Sequence, residues 1–176
     1  MANDLELAWT AFLAAQEIDD TVASYAKIRA AASLAEDTSG RAAFDGLHEA
    51  MRAGGASHRF MQLMKLLAER WAPAPSSEMT PLRVVVSGAG PIGLRAAVEC
   101  ALGGDEVTVI EKRFVFSRVN ILLLWACTAD DLINCGAKAF LPGFSSKNDI
   151  LHLGTRQMQL VLLKSALLLG VQWHSA

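Results

Sequence analysis

The chain has 176 residues, 52% of them hydrophobic and 19% charged, which suits one ordinary domain with a buried core and an appendage. A formal net charge of -2 and a pI near 6.1 lack the basic footprint of a protein that binds nucleic acid or an anionic membrane, so neither partner is expected. Cys100, Cys127 and Cys135 form no CxxC pair and the histidines at 48, 58, 152 and 174 show no HxxxH spacing, which speaks against a disulfide framework or a metal site. A reducing compartment such as the cytoplasm is expected.

Residues 1–71 are rich in alanine, leucine and methionine and divide into helical stretches. Asn3 or Asp4 is a candidate cap for the first, and Asp19 or Asp20 for the second, which runs through Val22, Tyr25 and Ile28. Ser39 precedes a third, with Phe44, Leu47 and Met51 at helical spacing and Gly54-Gly55 as its stop. Ser57 opens a fourth, whose Phe60, Met61, Met64, Leu67 and Trp71 give an apolar face that reads as core. Residues 72–81, APAPSSEMTP, hold three of the five prolines and read as a linker.

From residue 82 to 176 the pattern changes to apolar runs alternating with helices, the order of a parallel sheet covered by helices. Val84, Val85 and Val86 in series predict a central strand buried on both faces. Gly88, Gly90 and Gly93 follow at once. In such a turn the first glycine permits the bend, the second lets the backbone approach a pyrophosphate, and the third lets the helix pack on the strand. Pro91 suits the first helical position, where its missing N–H costs nothing, and the helix N-terminus offers free amides to phosphate. The helix runs to Gly103-Gly104, after which Glu106 to Ile110 predicts a second strand. Glu111 stands at its end, 23 residues after Gly88, where a carboxylate accepts hydrogen bonds from ribose hydroxyls and repels a 2′-phosphate. Such bonds contribute about 1.5–3 kcal/mol each. FAD and NAD both fit these residues, and so does a Rossmann-like scaffold that binds nothing. The apolar runs at 121–126 and 160–171 read as core, being short of the ~18 apolar residues of a membrane span.

The segment GAGPIGLRAAVECALGGDEVTVIEKRFVFSRVNILLLW, with DLINCGAKAF and TRQMQLVLLKSALLLGV after it, resembles the flavin monooxygenase domain of the MICAL family, NADPH-dependent enzymes that oxidise methionines of actin. The resemblance is close from about Val84 onward and faint over the helices before it. It implies FAD rather than NAD, with NADPH as reductant and oxygen transferred to the substrate through a flavin hydroperoxide; actin as a partner follows from the family alone. Carried over residue by residue, it implies cofactor contacts at Ile92 in the turn, at Glu111, Lys112 and Arg113, at Arg118 and Asn120, and at Arg156 at the start of a later helix. Arg113 would lie over adenine or pair with phosphate, and Arg118 would offer its fork of donors to the pyrophosphate. Read without the resemblance, Lys112 and Arg113 form a solvated turn, Arg118 a surface ion pair and His152 a surface residue. The chain departs from the family at Val119 and Leu123, where the family carries asparagine and histidine. The resemblance further implies that this is the N-terminal portion of a monooxygenase, inactive alone, with no catalytic acid, base or nucleophile to name. The alternatives are a non-catalytic Rossmann-like module whose helical segment binds a partner, and an NAD-dependent oxidoreductase.

Overall fold

The computed structural model describes residues 2–55, 57–71, 80–145 and 150–175. Most of the expected linker, residues 72–79, lies outside them. Four helices come first: α1 (Ala2–Ala14), α2 (Ile18–Ala31), α3 (Gly40–Ala53) and α4 (His58–Arg70). Ser57 caps α4 by accepting from the Phe60 N–H at 3.4 Å, and Ser39 and Gly54 bound α3 where expected. Two expected caps fall elsewhere. Asp4 lies inside the first turn of α1, and Asp19 and Asp20 lie inside that of α2, whose N-cap is Glu17. Acidic side chains there face the positive end of the helix dipole, which explains their presence without a capping role.

The second half runs β1 (Arg83–Ser87), α5 (Pro91–Leu102), β2 (Glu106–Glu111), β3 (Ile121–Trp125), α6 (Ala126–Asn134), α7 (Ala137–Phe140), β4 (Ile150–Gly154), α8 (Thr155–Leu168) and β5 (Gln172–Ser175). Strands β1, β2 and β5 form a parallel sheet in that order. Helix α5 packs on β1 and β2, and α8 packs beside α5. This is an α/β Rossmann-like unit. Its register pairs Val84 with Val107 and Val86 with Val109, so these four side chains share the face turned toward the helices.

The expectation that β1 is buried on both faces is overturned. Among the described residues β1 pairs only with β2, and Val85, on the opposite face from Val84 and Val86, is 63% exposed. A valine run without alternation signals two buried faces, but here helices cover only one. The run at 121–126 departs in the same way. Strands β3 and β4, with α6 and α7 between them in the chain, pair antiparallel, an arrangement that the sequence pattern did not announce. Leu124 and Leu153 turn into the core, while Ile121, Leu123 and Trp125 point outward, each at least 65% exposed. The run at 160–171 is core as expected, because α8 lies buried between the sheet side and the N-terminal helices.

The helical segment and the α/β unit share one hydrophobic cluster, from Trp9, Phe12, Phe44 and Phe60 through Leu94 and Val98 to Leu162 and Leu163. Their backbones also meet directly: Gly40 N–H donates to Gly170 O at 3.0 Å. A bidentate pair, Arg95 Nε to Asp131 at 2.7 Å and Nη2 at 2.9 Å, ties α5 to α6.

Lys164 joins α8 to α1. Its Nζ lies between the Phe12 and Phe140 rings and donates to Leu13 O and Ala15 O, both at 2.9 Å. These carbonyls end α1, the negative pole of its dipole. Burial pushes the ammonium pKa down from 10.5 to about 8. A lysine depressed in the fold contributes stability that is fully present above pH 10.5 and lost as pH falls through 8. Compared with Lys164→Met, the chain is therefore expected to gain up to about 3 kcal/mol between pH 8 and 10.5 in urea titrations. A constant difference across that window would show that the amine stays charged.

Candidate functional site: the glycine turn between β1 and α5

The turn is built by its own backbone. Gly88 takes φ +97°, a conformation that a side chain disfavours, and its N–H donates to Ile110 O at 2.8 Å, holding the end of β1 against β2. Gly90 is the N-cap of α5 and Pro91 its first residue, as expected. The first intrahelical bond here is Leu94 N–H to Gly90 O at 2.9 Å, so the Ile92 and Gly93 amides have no acceptor within the helix.

The three glycines are distinguished by what a side chain would meet. At Gly93 a Cβ would lie 2.5 Å from Gly88 O and 3.1 Å from a Val86 methyl, so this glycine serves helix-on-strand packing. At Gly90 a Cβ would meet no heavy atom within 4 Å. That open side faces outward at a helix N-terminus of twelve residues, where an anion is favoured by free amides and by the helix dipole. Ile92, 87% exposed, borders it.

Glu111 is buried at the end of β2, with 3% of its surface exposed. One carboxylate oxygen accepts from the Ala89 N–H at 2.8 Å and from Arg113 Nη2 at 3.1 Å. The other accepts from the Arg113 N–H and Nε, each at 3.0 Å. The Arg113 guanidinium, opposed by burial and assisted by the two backbone donors, holds the carboxyl at about 2, well below its usual 4.5. The acid is thus ionised at any physiological pH, and it anchors the turn through Ala89 as well as marking the end of β2.

The other predicted contacts divide. Arg113 pairs with Glu111. Lys112, Arg118 and Asn120 are exposed on the connection from β2 to β3, and neither Lys112 nor Arg118 forms an ion pair among the described residues. The Asn120 carbonyl accepts from Thr155 N at 2.8 Å and Oγ1 at 2.9 Å, which places this segment beside the start of α8. Arg156 is not brought to the turn. Its guanidinium donates to Gln16 O, at 3.1 Å from Nη2, and pairs with Glu17, because the first turn of α8 abuts the α1–α2 connection. His152 is exposed on β4, consistent with a surface residue.

One residue at the turn was missed. Gln159 of α8 is buried, and its Nε2 donates to Ala89 O at 2.8 Å. The only signal was a polar residue inside an apolar helix, which periodicity alone treats as noise.

The fold and the turn together define a Rossmann-like α/β unit: a parallel sheet, a glycine turn opening a helix, and a buried acid at the end of the second strand. No family model matches the chain. Individual relatives do. It is 53% identical over 93 residues to the [F-actin]-monooxygenase mical1 of Danio rerio, a match covering 53% of this chain and 8% of that protein. It is 37% identical over 172 residues to [F-actin]-monooxygenase MICAL1 of Homo sapiens, covering 98% of this chain and 16% of that protein. To MICAL3 of Mus musculus it is 48% identical over 95 residues, 54% of this chain and 5% of the relative. Over its matched residues the chain is similar to members of the MICAL family, while spanning only a small part of the length of these relatives. The match to the human protein also takes in the N-terminal helices, where the resemblance read from the sequence was faint.

Proposed function

We propose that this chain supplies the adenosine and pyrophosphate half of an FAD site in a monooxygenase that draws reducing equivalents from NADPH and, as the names of its relatives suggest, acts on F-actin. The observation that carries the proposal is the open side of Gly90 at the N-terminus of α5, a cradle that any side chain would fill, set beside the buried Glu111 carboxylate. When bound, FAD would supply the redox and oxygen chemistry. The chain's own residues bind and orient. The Ile92 and Gly93 amides face the pyrophosphate, and Glu111, held by Ala89, accepts from ribose hydroxyls at the oxygen sites that the Arg113 guanidinium gives up as it turns to a phosphate. Arg113, Lys112 and Arg118 add positive charge around the phosphates, with Asn120 offering a donor and an acceptor beside them. Arg156, engaged with Gln16 and Glu17, serves to dock α8 on the helical segment.

Two other readings are less well supported. A free partner-binding role for the N-terminal helices sits poorly with Phe12, Phe44 and Phe60 being buried in the shared core. An NAD site would use the same turn, so the choice is made by titration. The purified chain, titrated by calorimetry with FAD, NAD and NADP, is expected to bind FAD at least about tenfold more tightly than NAD, and NADP most weakly, since Glu111 repels a 2′-phosphate. Tighter binding of NAD, or no binding of any of the three, would overturn the FAD assignment.

A further inference from the structure

Ala89 sits at the centre of the turn with the peptides on both sides of it held. Its N–H donates to Glu111 at 2.8 Å and its carbonyl accepts from Gln159 Nε2 at 2.8 Å. Glu111 lies on β2, which pairs with the strand leading into the turn, but Gln159 lies on α8, 70 residues along the chain. The orientation of its amide is fixed by chemistry: a carbonyl only accepts, so the nitrogen must face Ala89 O and the oxygen must face away. That Oε1 is buried and finds no hydrogen-bond partner among the described residues. Burying a carboxamide with one end unmatched is unfavourable for packing alone, and a leucine or methionine would fill the same space without that cost. The compensating gain is therefore at Ala89.

We infer that Gln159 is a positioning residue of the cofactor-binding turn: by holding the Ala89 carbonyl it fixes the Ala89–Gly90 peptide, and with it the outward aim of the Gly90 amide and of the start of α5 that follows. Without it that peptide can rotate about the bonds on either side of it. Rotation would swing the Gly90 amide, while the Glu111 contact, made on the preceding peptide, holds only the other side of Ala89. Gln159 also carries the effect of α8 to the turn, because α8 packs along α5 and is anchored to α1 through Lys164. The bound group to which this matters is the one proposed above, so the inference rests on that reading for its consequence, though not for its geometry.

The test compares two variants with the unaltered chain. Gln159→Met keeps the length and apolar bulk but cannot donate. Gln159→Glu is isosteric; ionised, it sets a carboxylate against the Ala89 carbonyl, whereas protonated it donates an O–H in place of the amide. Burial raises a carboxyl pKa, so the protonated form is reached at mildly acid pH. With ADP and FAD as probes, at temperatures well below each variant's melting point, Gln159→Met is expected to lose about tenfold in affinity at both pH 5 and pH 8. Gln159→Glu is expected to lose at least as much at pH 8 and to recover to within about threefold of the unaltered chain at pH 5. A residue that merely filled space would leave the affinity ratio flat with pH. Affinities within twofold of the unaltered chain for both variants at both pH values overturn the inference. If the unaltered chain binds neither probe, the cofactor reading fails, and the clamp is then judged in the ligand-free protein. Amide hydrogen exchange over residues 88–90 is expected to be about tenfold faster in Gln159→Met and in Gln159→Glu at pH 8, each relative to the unaltered chain at the same pH. Unchanged exchange there overturns it equally. Should Gln159→Met fail to fold, the two pH values for Gln159→Glu provide the comparison within one protein.

Discussion

Gly90→Val is expected to leave the fold intact and to abolish cofactor binding. A Cβ at this position meets no heavy atom within 4 Å, and the backbone, at φ -69° and ψ 165°, is one that valine adopts readily. The melting temperature should therefore fall by only about 2–5 °C, the cost of a poorer N-cap residue with no steric clash added. The side chain would project from the first turn of α5, into the space that a pyrophosphate needs to reach the Ile92 and Gly93 amides. Affinity for FAD should fall at least about a hundredfold, roughly 2.7 kcal/mol, as measured by flavin fluorescence quenching. A Gly90→Val protein that binds FAD like the unaltered chain would remove the turn from the binding site.

The second large effect concerns the joint between the halves. Gly170, between α8 and β5, has φ +79°, and a Cβ there would lie 2.4 Å from Gly40 O, 2.5 Å from its nitrogen and 2.8 Å from its Cα. These are backbone atoms that cannot step aside. Gly170→Ala therefore meets the left-handed strain of about 1–2 kcal/mol, and it must also break the Gly40 N–H to Gly170 O bond and shift the start of α3. We expect a loss of at least about 4 kcal/mol in urea unfolding. Gly104→Ala isolates the strain, because Gly104 has φ +96° with nothing within 4 Å, and it should cost only about 1–2 kcal/mol. Equal losses for the two variants would show that the α3 contact is not made in solution.

Helix boundaries at Gly54 and Ser57 could be read from the sequence because each rests on local chemistry, a glycine where the helix stops and a hydroxyl for an orphan amide, while Ser39 stands at its expected N-cap position without a side-chain bond. The glycine turn was legible for the same reason. Gly88, Pro91 and Gly93 owe their places to backbone angles, a missing N–H and a short contact, all of which lie within the turn, its helix and the preceding strand. The exposure of Val85, Ile121, Leu123 and Trp125 was not legible. An apolar run shows that a strand can be covered, but not which of its faces are covered among these residues. The partners of Arg113 and Arg156 were hidden likewise, since a guanidinium pairs with whichever carboxylate or carbonyl the fold brings near.

The sequence by itself determined the α/β class, the position of the glycine turn, the acid at the end of β2 and the family that the matched residues resemble, because all of these depend on residue types at short and regular spacing. Only the tertiary structure decided that the N-terminal helices share the core of the α/β unit, that Arg156 turns toward them, and that Gln159 reaches the turn at Ala89. The physical reason is range. A turn encodes its geometry in adjacent backbone angles, whereas Gln159 meets Ala89 only after β2, the β3–β4 pair with its helices and α8 have been folded, and no local preference records that approach.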